Sequence, residues 1–166
     1  FTDGSNNIQP SPLSISPADQ TNYLVCKNLD TNIPTGASIE GIQIYIDRYN
    51  SFTGDGTVTI NDDAIYLTKN GTDTVGNNKS TGETWASLDT DTYDSYGGVS
   101  DLWGATWTAS EINDDNFGVM ISPNLAYDSG SGENGSDAKI DHVYVEITFT
   151  DNSTSRRRAV FIAKNN

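Results

Sequence analysis

The chain has 166 residues, of which 23 are acidic and 9 are basic, giving a formal net charge of −14 at pH 7. Such a surface repels phosphate groups, so the charge argues against a nucleic-acid partner. No apolar run reaches the roughly 20 residues of a membrane helix, which argues against membrane insertion. The single cysteine and single histidine exclude an internal disulfide and a zinc site built from these two residue types.

An extended arm is predicted over residues 1–18, because Pro10, Pro12 and Pro17 cannot donate the backbone hydrogen bonds of a central strand. Phe1 fits either a processed start or a start inside a longer product. The length suits one domain, and we predict a sandwich domain over residues 19–150. A basic and apolar tail follows over residues 151–166.

Three strands are predicted in the first half of the domain, over residues 23–26, 39–49 and 58–68. The clearest is the second, where Ile42, Ile44 and Ile46 alternate with polar or aromatic residues. In the third strand, regular alternation would place the apolar residues of the first half and those of the second half on opposite faces. A bulge over residues 61–63 is therefore predicted to keep both halves facing the core. Cys26 is expected to pack as a small buried side chain.

The tryptophan-rich stretch that follows has large residues at every second position, which predicts two core strands. These residues are Trp103, Ala105 and Trp107, then Phe117, Val119 and Ile121. Between the two strands, Thr108 with Glu111 three residues later predicts a short capped turn. Trp85 with Leu88 is predicted to form either a short strand or an anchor that holds a polar loop to the core.

A final strand is predicted over residues 139–150, where Val143, Val145 and Ile147 alternate with polar residues. Short strands and frequent turns without a long amphipathic helix predict an all-β fold, an antiparallel two-sheet sandwich of jelly-roll-like form. The abundance of Asn, Asp, Ser, Thr and Gly is typical of all-β surface proteins. We therefore expect an extracellular, cell-surface or virion location.

Five segments form an ordered pattern within the domain, at residues 19–24, 33–42, 96–107, 113–119 and 140–143. Together they resemble a poorly characterised β-sandwich module of phage virion proteins and of large secreted or surface proteins of bacteria. The resemblance covers roughly residues 18–150. It implies a structural or display role, and it attaches no catalytic residue to the pattern.

The tail departs from this pattern with a basic triplet and an apolar run of strand-forming residues, Arg156, Arg157, Arg158, Val160, Phe161 and Ile162. Residues 1–155 hold 5 basic and 23 acidic residues, a net charge of −18, whereas residues 156–166 carry +4. Tail and body are thus electrostatically complementary. If the run pairs with its own sandwich it is an ordinary edge strand; if it reaches a neighbour it extends that neighbour's free edge.

We favour the second alternative, in which the six tail residues and the N-terminal arm contact adjacent copies of the chain. The predicted function is then that of a non-enzymatic structural subunit. It would self-assemble into an extracellular filament or tube, or form part of a virion.

The alternative is a carbohydrate-binding or adhesive module that recognises surface glycans, with Tyr93 and Tyr96 as exposed stacking faces. Trp103 and Trp107 alternate inward and are expected to fill the core instead. Tyr45 and other tyrosines predicted to point outward from their strands suit contacts with another protein equally well.

Candidate chemistry is sparse, and no catalytic residue is assigned. His142, the one histidine, is expected to be either hydrogen-bonded within the protein or solvated, rather than catalytic. No cofactor is predicted, although a structural calcium ion is a weaker alternative, with Asp89 and Asp91 as candidate ligands. Glycosylation sequons begin at Asn70, Asn78, Asn134 and Asn152.

Overall fold

The computed structural model describes residues 7–8, 19–20, 22–51, 58–87, 93–127, 137–151 and 155–162. Within these ranges the chain forms ten strands and one short helix. They are β1 (Asn7–Ile8), β2 (Asp19–Gln20), β3 (Leu24–Lys27), β4 (Ser38–Asn50), β5 (Val58–Thr68), β6 (Thr74–Val75), β7 (Tyr93–Gly98), α1 (Ala109–Ile112), β8 (Gly118–Tyr127), β9 (Ala138–Thr150) and β10 (Arg156–Ile162).

The strands form two antiparallel sheets. Sheet A has the order β1-β9-β4-β7, and β10 pairs with the same edge of β9 as β1 does. Sheet B has the order β2-β8-β5-β6, and β3 lies beside β2 along β8. Apolar side chains of both sheets meet in one buried cluster. The prediction of an all-β, antiparallel two-sheet sandwich is therefore confirmed.

The pairing order makes this sandwich a jelly roll. β1 pairs with β9, β3 with β8, β4 with β7 and β5 with β6, so the chain is a long hairpin of nested pairs. The hairpin rolls up because β9 also pairs with β4, and β8 with β5. This nested order is complete without β10, which is an additional strand at the edge of sheet A.

The bulge predicted in the third strand is present. In β5 the pairing with β8 shifts register between Asp62 and Ala64. The shift brings Ile60 on one side and Ile65 on the other to the core, where both are fully buried. A regular strand would have turned one of the two outward, since side chains alternate between faces.

The predicted strand from Trp103 to Trp107 is wrong. Strand β7 ends at Gly98, and the chain then follows turns in which Trp103 has a positive φ of 61°. Both indoles still reach the core, with exposures of 0% and 7%. Trp103 Nε1 donates to the backbone oxygen of Ile42 at 2.9 Å, which ties this loop to β4.

Gly97 makes this approach possible. A Cβ atom at this position would lie 2.4 Å from the backbone oxygen of Ile42 and 2.6 Å from Trp103 Nε1. Its φ of +73° is also a region that side chains disfavour. Glycine is therefore the residue that fits between the indole and β4.

Two smaller predictions are confirmed. The capped turn is helix α1, where Thr108 and Glu111 form a reciprocal capping box. Trp85 is 2% exposed and its backbone N–H bonds to Ile60, so it anchors its loop to the core.

Cys26 packs against the core, and burial raises the pKa of its thiol to about 12. Within the described ranges, no helix has the length and apolar character needed to cross a membrane.

Candidate functional site

The outer face of sheet A carries most of the chemically distinctive side chains. Its residues align in rows because Cα atoms of paired strands face each other across the sheet. One row contains Tyr93, Asp47 and His142. The next contains Ser95, Tyr45, Tyr144 and Ile162, and the one after it contains Gln43, Glu146 and Val160.

Three tyrosines of these rows form a cluster that we call the tyrosine face: Tyr45, Tyr93 and Tyr144. The rings of Tyr45 and Tyr144 stack, with centroids 4.5 Å apart and planes 14° apart. Tyr93 meets Tyr144 edge-on at 5.2 Å and is 45% exposed. Partial burial raises the pKa of Tyr45, and the negative charge of Glu146 raises this pKa further. The Tyr45 phenol thus remains a neutral, amphipathic contact group at physiological pH.

Strand β10 borders the tyrosine face. Its side chains alternate, so that Ala159 and Phe161 pack toward the core while Val160 and Ile162 point outward, 57% and 60% exposed. Val160 lies opposite Glu146, and Ile162 lies opposite Tyr144. Exposed apolar residues therefore continue the tyrosine face to the edge of sheet A.

The three arginines of β10 each contact an acidic residue of the same chain. Arg156 Nε lies 2.7 Å from Glu40 Oε2, and Arg158 pairs with Glu146. Arg157 Nε lies 2.7 Å from Asp151 Oδ2. Two of these ion pairs, Arg156 with Glu40 and Arg158 with Glu146, join the tail to the body within one chain, as their electrostatic complementarity predicts.

A second cluster lies at the other end of the tyrosine face. The pairing of β4 with β9 shifts between Asp47 and Arg48, so Asp141 is an extra residue on β9 beside His142. The bulge leaves both side chains exposed, next to Asp47. Ligand atoms of Asp47, Asp141 and His142 all lie within 4.8 Å of one another.

A buried ionic network lies between the sheets. Arg48 Nη2 is 3.2 Å from Asp62 Oδ2, and both residues are 4% exposed. The Tyr96 hydroxyl donates to Asp62 Oδ2 at 2.7 Å and accepts from Arg48 Nε at 3.0 Å. Burial and the Asp62 charge raise the pKa of Tyr96 far above its ordinary value. Trp85 Nε1 donates to Asp62 Oδ1 at 2.8 Å, so both oxygens of this carboxylate accept hydrogen bonds.

The network corrects the prediction for Tyr96. That residue was expected to offer an exposed stacking face, but it is 3% exposed and its hydroxyl is held by Asp62 and Arg48. Tyr96 lies opposite Ile44, a core position of β4, so its side chain points between the sheets. Tyr93, three residues earlier, lies on the outer face as the glycan hypothesis requires.

The other candidate residues are only partly covered by the structure. Asp89, Asp91, Asn134 and Asn152 lie outside the described residues. Asn70 is exposed, and its Oδ1 accepts from the backbone N–H of Asp73 at 2.8 Å. Asn78 is exposed too, but the nitrogen that would carry a glycan donates to the Asp63 backbone oxygen at 3.0 Å.

Comparisons of the chain with protein families, curated proteins and solved structures gave no match. Sheet A and its edge therefore supply the observations from which a function is inferred.

Proposed function

We propose that this protein is a non-enzymatic structural subunit that self-assembles, with β10 as the element exchanged between neighbouring copies. The proposal places it in an extracellular filament or tube, or in a virion. One observation carries it: β10 lies outside the nested pairing of the jelly roll, at an open edge of sheet A.

The contacts of β10 with the body suit an exchange. Its backbone pairs with residues 144–150 of β9, while Ala159 and Phe161 pack on the core. Arg156 and Arg158 bind the carboxylates of Glu40 and Glu146, which belong to the body. Each of these contacts can be made equally well by β10 of another copy, because none depends on which chain supplies the strand.

The connection between β9 and β10 is short and polar. Thr150 lies opposite Arg156, so residues 151–155, Asp-Asn-Ser-Thr-Ser, join the two strands. If this connection opens, β10 leaves its own body and the vacated edge of β9 accepts the strand of a neighbour. Donation of β10 in one direction, from each copy to the next, gives rings or open filaments, whereas reciprocal exchange between two copies gives a closed dimer.

The exposed outer face supports the same proposal. Val160, Ile162 and Tyr93 are among the most exposed large apolar or aromatic residues of the described chain, and all three lie on the outer face of sheet A. Contiguous apolar and aromatic surface of this kind marks interaction sites. The body of the neighbour that donates β10 would lie beside this face and cover part of that surface. The charge of −18 on residues 1–155 would attract the basic strand over a distance.

Removal of β10 tests the proposal. A chain that ends at Thr150 is expected to fold and to stay monomeric under conditions in which the full chain assembles, as seen by sedimentation and negative-stain electron microscopy. A chain that ends at Ile162 keeps β10 and is the matched control, which should assemble as the full chain does. The proposal is wrong if the chain ending at Thr150 assembles as well as the control.

The tyrosine face favours one second candidate, a carbohydrate-binding or adhesive module. Tyr93 presents an exposed ring beside the stacked pair of Tyr45 and Tyr144, and sugar rings pack on such aromatic surfaces. On this alternative, Tyr93→Ala abolishes binding on a glycan array while the protein remains monomeric. Tyr23→Ala is the control, since Tyr23 is 40% exposed but packs against Tyr66 of sheet B. Equal glycan binding by both variants would exclude the tyrosine face.

A further inference from the structure

We propose that Asp47, Asp141 and His142 bind a divalent transition-metal ion, best matched by Zn²⁺, on the outer face of sheet A. The inference is independent of the exchange of β10. It combines two carboxylates and an imidazole, which is a ligand set typical of borderline metals such as zinc.

The bulge in β9 creates this set. In a regular strand, Asp141 and His142 would point to opposite faces of the sheet, and only one could approach Asp47. The extra residue places both beside Asp47, and their side chains are 46% and 57% exposed. Bulges are frequent next to functional sites because they redirect a side chain in this way.

Asp47 is the fixed member of the set. It lies on the outer face, opposite both Tyr93 and His142, yet it is 2% exposed. Its carboxylate is therefore held within the sheet, whereas Asp141 and His142 lie beside it with exposed side chains. A site with one buried and two exposed ligands is accessible to an ion without unfolding.

The distances suit a single ion. Zinc bonds of about 2.0–2.2 Å place tetrahedral ligand atoms about 3.4 Å apart. His142 Nδ1 and Asp141 Oδ2 are already 3.1 Å apart, and all three ligand atoms lie within 4.8 Å. Closure around an ion thus requires only small rotations of exposed side chains. Three protein ligands leave a position for water or for a donor from another molecule.

Among the described residues, no strand pairs with Asp141 and His142 on the edge of β9 that faces away from β4. On the edge of β9 that faces away from β4, β1 pairs with Ala138 and Lys139 and β10 pairs with residues 144–150. Asp141 and His142 lie between these two paired segments. Two carboxylates beside an imidazole, on a chain with a net charge of −14, also attract a cation.

The single histidine allows a direct test on the full chain without an affinity tag. Its imidazole proton signals are the only ones of their kind in an NMR spectrum, and addition of Zn²⁺ is expected to shift them until one equivalent is bound. Mg²⁺ should leave them unchanged, because it prefers oxygen ligands. Signals that do not move on titration with Zn²⁺ would overturn the proposal.

Variants then locate the ion by calorimetric titration with Zn²⁺. Asp141→Asn and His142→Ala change exposed residues, and each is expected to weaken binding by about tenfold or more. Asp115→Asn, an exposed acid in the turn after α1, is the matched control and should bind as the native chain does. An unchanged affinity in Asp141→Asn, in a protein with a native circular dichroism spectrum, would overturn the site.

Discussion

Replacement of Asp62 by Ala is expected to lower the free energy of unfolding by about 3–5 kcal/mol, because it removes the buried carboxylate that pairs with the buried Arg48 guanidinium. Both residues are 4% exposed, and Asp62 also accepts hydrogen bonds from Tyr96 and Trp85. The change therefore removes this acceptor from the Tyr96 hydroxyl and the Trp85 indole, and it leaves the Arg48 nitrogen with Asp94, whose side chain is 44% exposed. Urea unfolding followed by tryptophan fluorescence measures the loss.

Asp94→Ala is the matched control for this change. Asp94 Oδ2 lies 3.1 Å from the same Arg48 nitrogen, but its side chain is 44% exposed. We expect a loss below about 1 kcal/mol, as for solvent-screened ion pairs. The double variant Arg48→Met with Asp62→Leu should lose less than Asp62→Ala, since neither charge is left unpaired. If Asp62→Ala costs no more than Asp94→Ala, the network does not hold the two sheets together.

The strands in which apolar and polar residues alternate clearly could be predicted from sequence. A strand with one buried face has apolar residues at every second position. Strand β4 differs from its prediction by one residue at each end, and β5 agrees with its prediction. Even the bulge of β5 was visible, since its apolar residues change phase around Asp62. The jelly-roll order follows from the same strands once their partners are known.

The alternation around Trp103 misled the prediction for a physical reason. Indoles can reach the core from turns as well as from strands, so the spacing of large residues does not fix the backbone. Here Asp101 Oδ1 accepts from the Trp103 backbone N–H at 2.7 Å, which stabilises a turn. Such turn chemistry competes with strand pairing over a short distance.

The candidate sites were predicted less completely than the fold. The outward phase of Tyr45 was visible in the sequence, but the inward direction of Tyr96 was not. The cluster of Asp47, Asp141 and His142 could not be seen at all, because it depends on a bulge between strands about 95 residues apart in the chain. Only the pairing partner of β9 reveals which residue is the extra one.

Disulfide trapping tests the exchange of β10, the central claim about function. Arg158 lies opposite Thr148, and opposed residues of antiparallel strands have Cα atoms about 4.5–5.5 Å apart, within the range of a disulfide. In a Cys26→Ala background, one chain carries Thr148→Cys and a second chain carries Arg158→Cys. Neither chain can form an internal disulfide. A chain with Arg157→Cys is the control partner, because Arg157 lies opposite Phe149 and points to the other face.

The two single-cysteine chains are unfolded together, refolded as a mixture and oxidised, and the products are separated on a non-reducing gel. Exchange predicts a disulfide-linked pair of Thr148→Cys with Arg158→Cys chains, and much less product with the Arg157→Cys control. The contradicting result is a mixture without this product, while one chain that carries both Thr148→Cys and Arg158→Cys forms its internal disulfide. In that case β10 belongs to its own sandwich in every subunit.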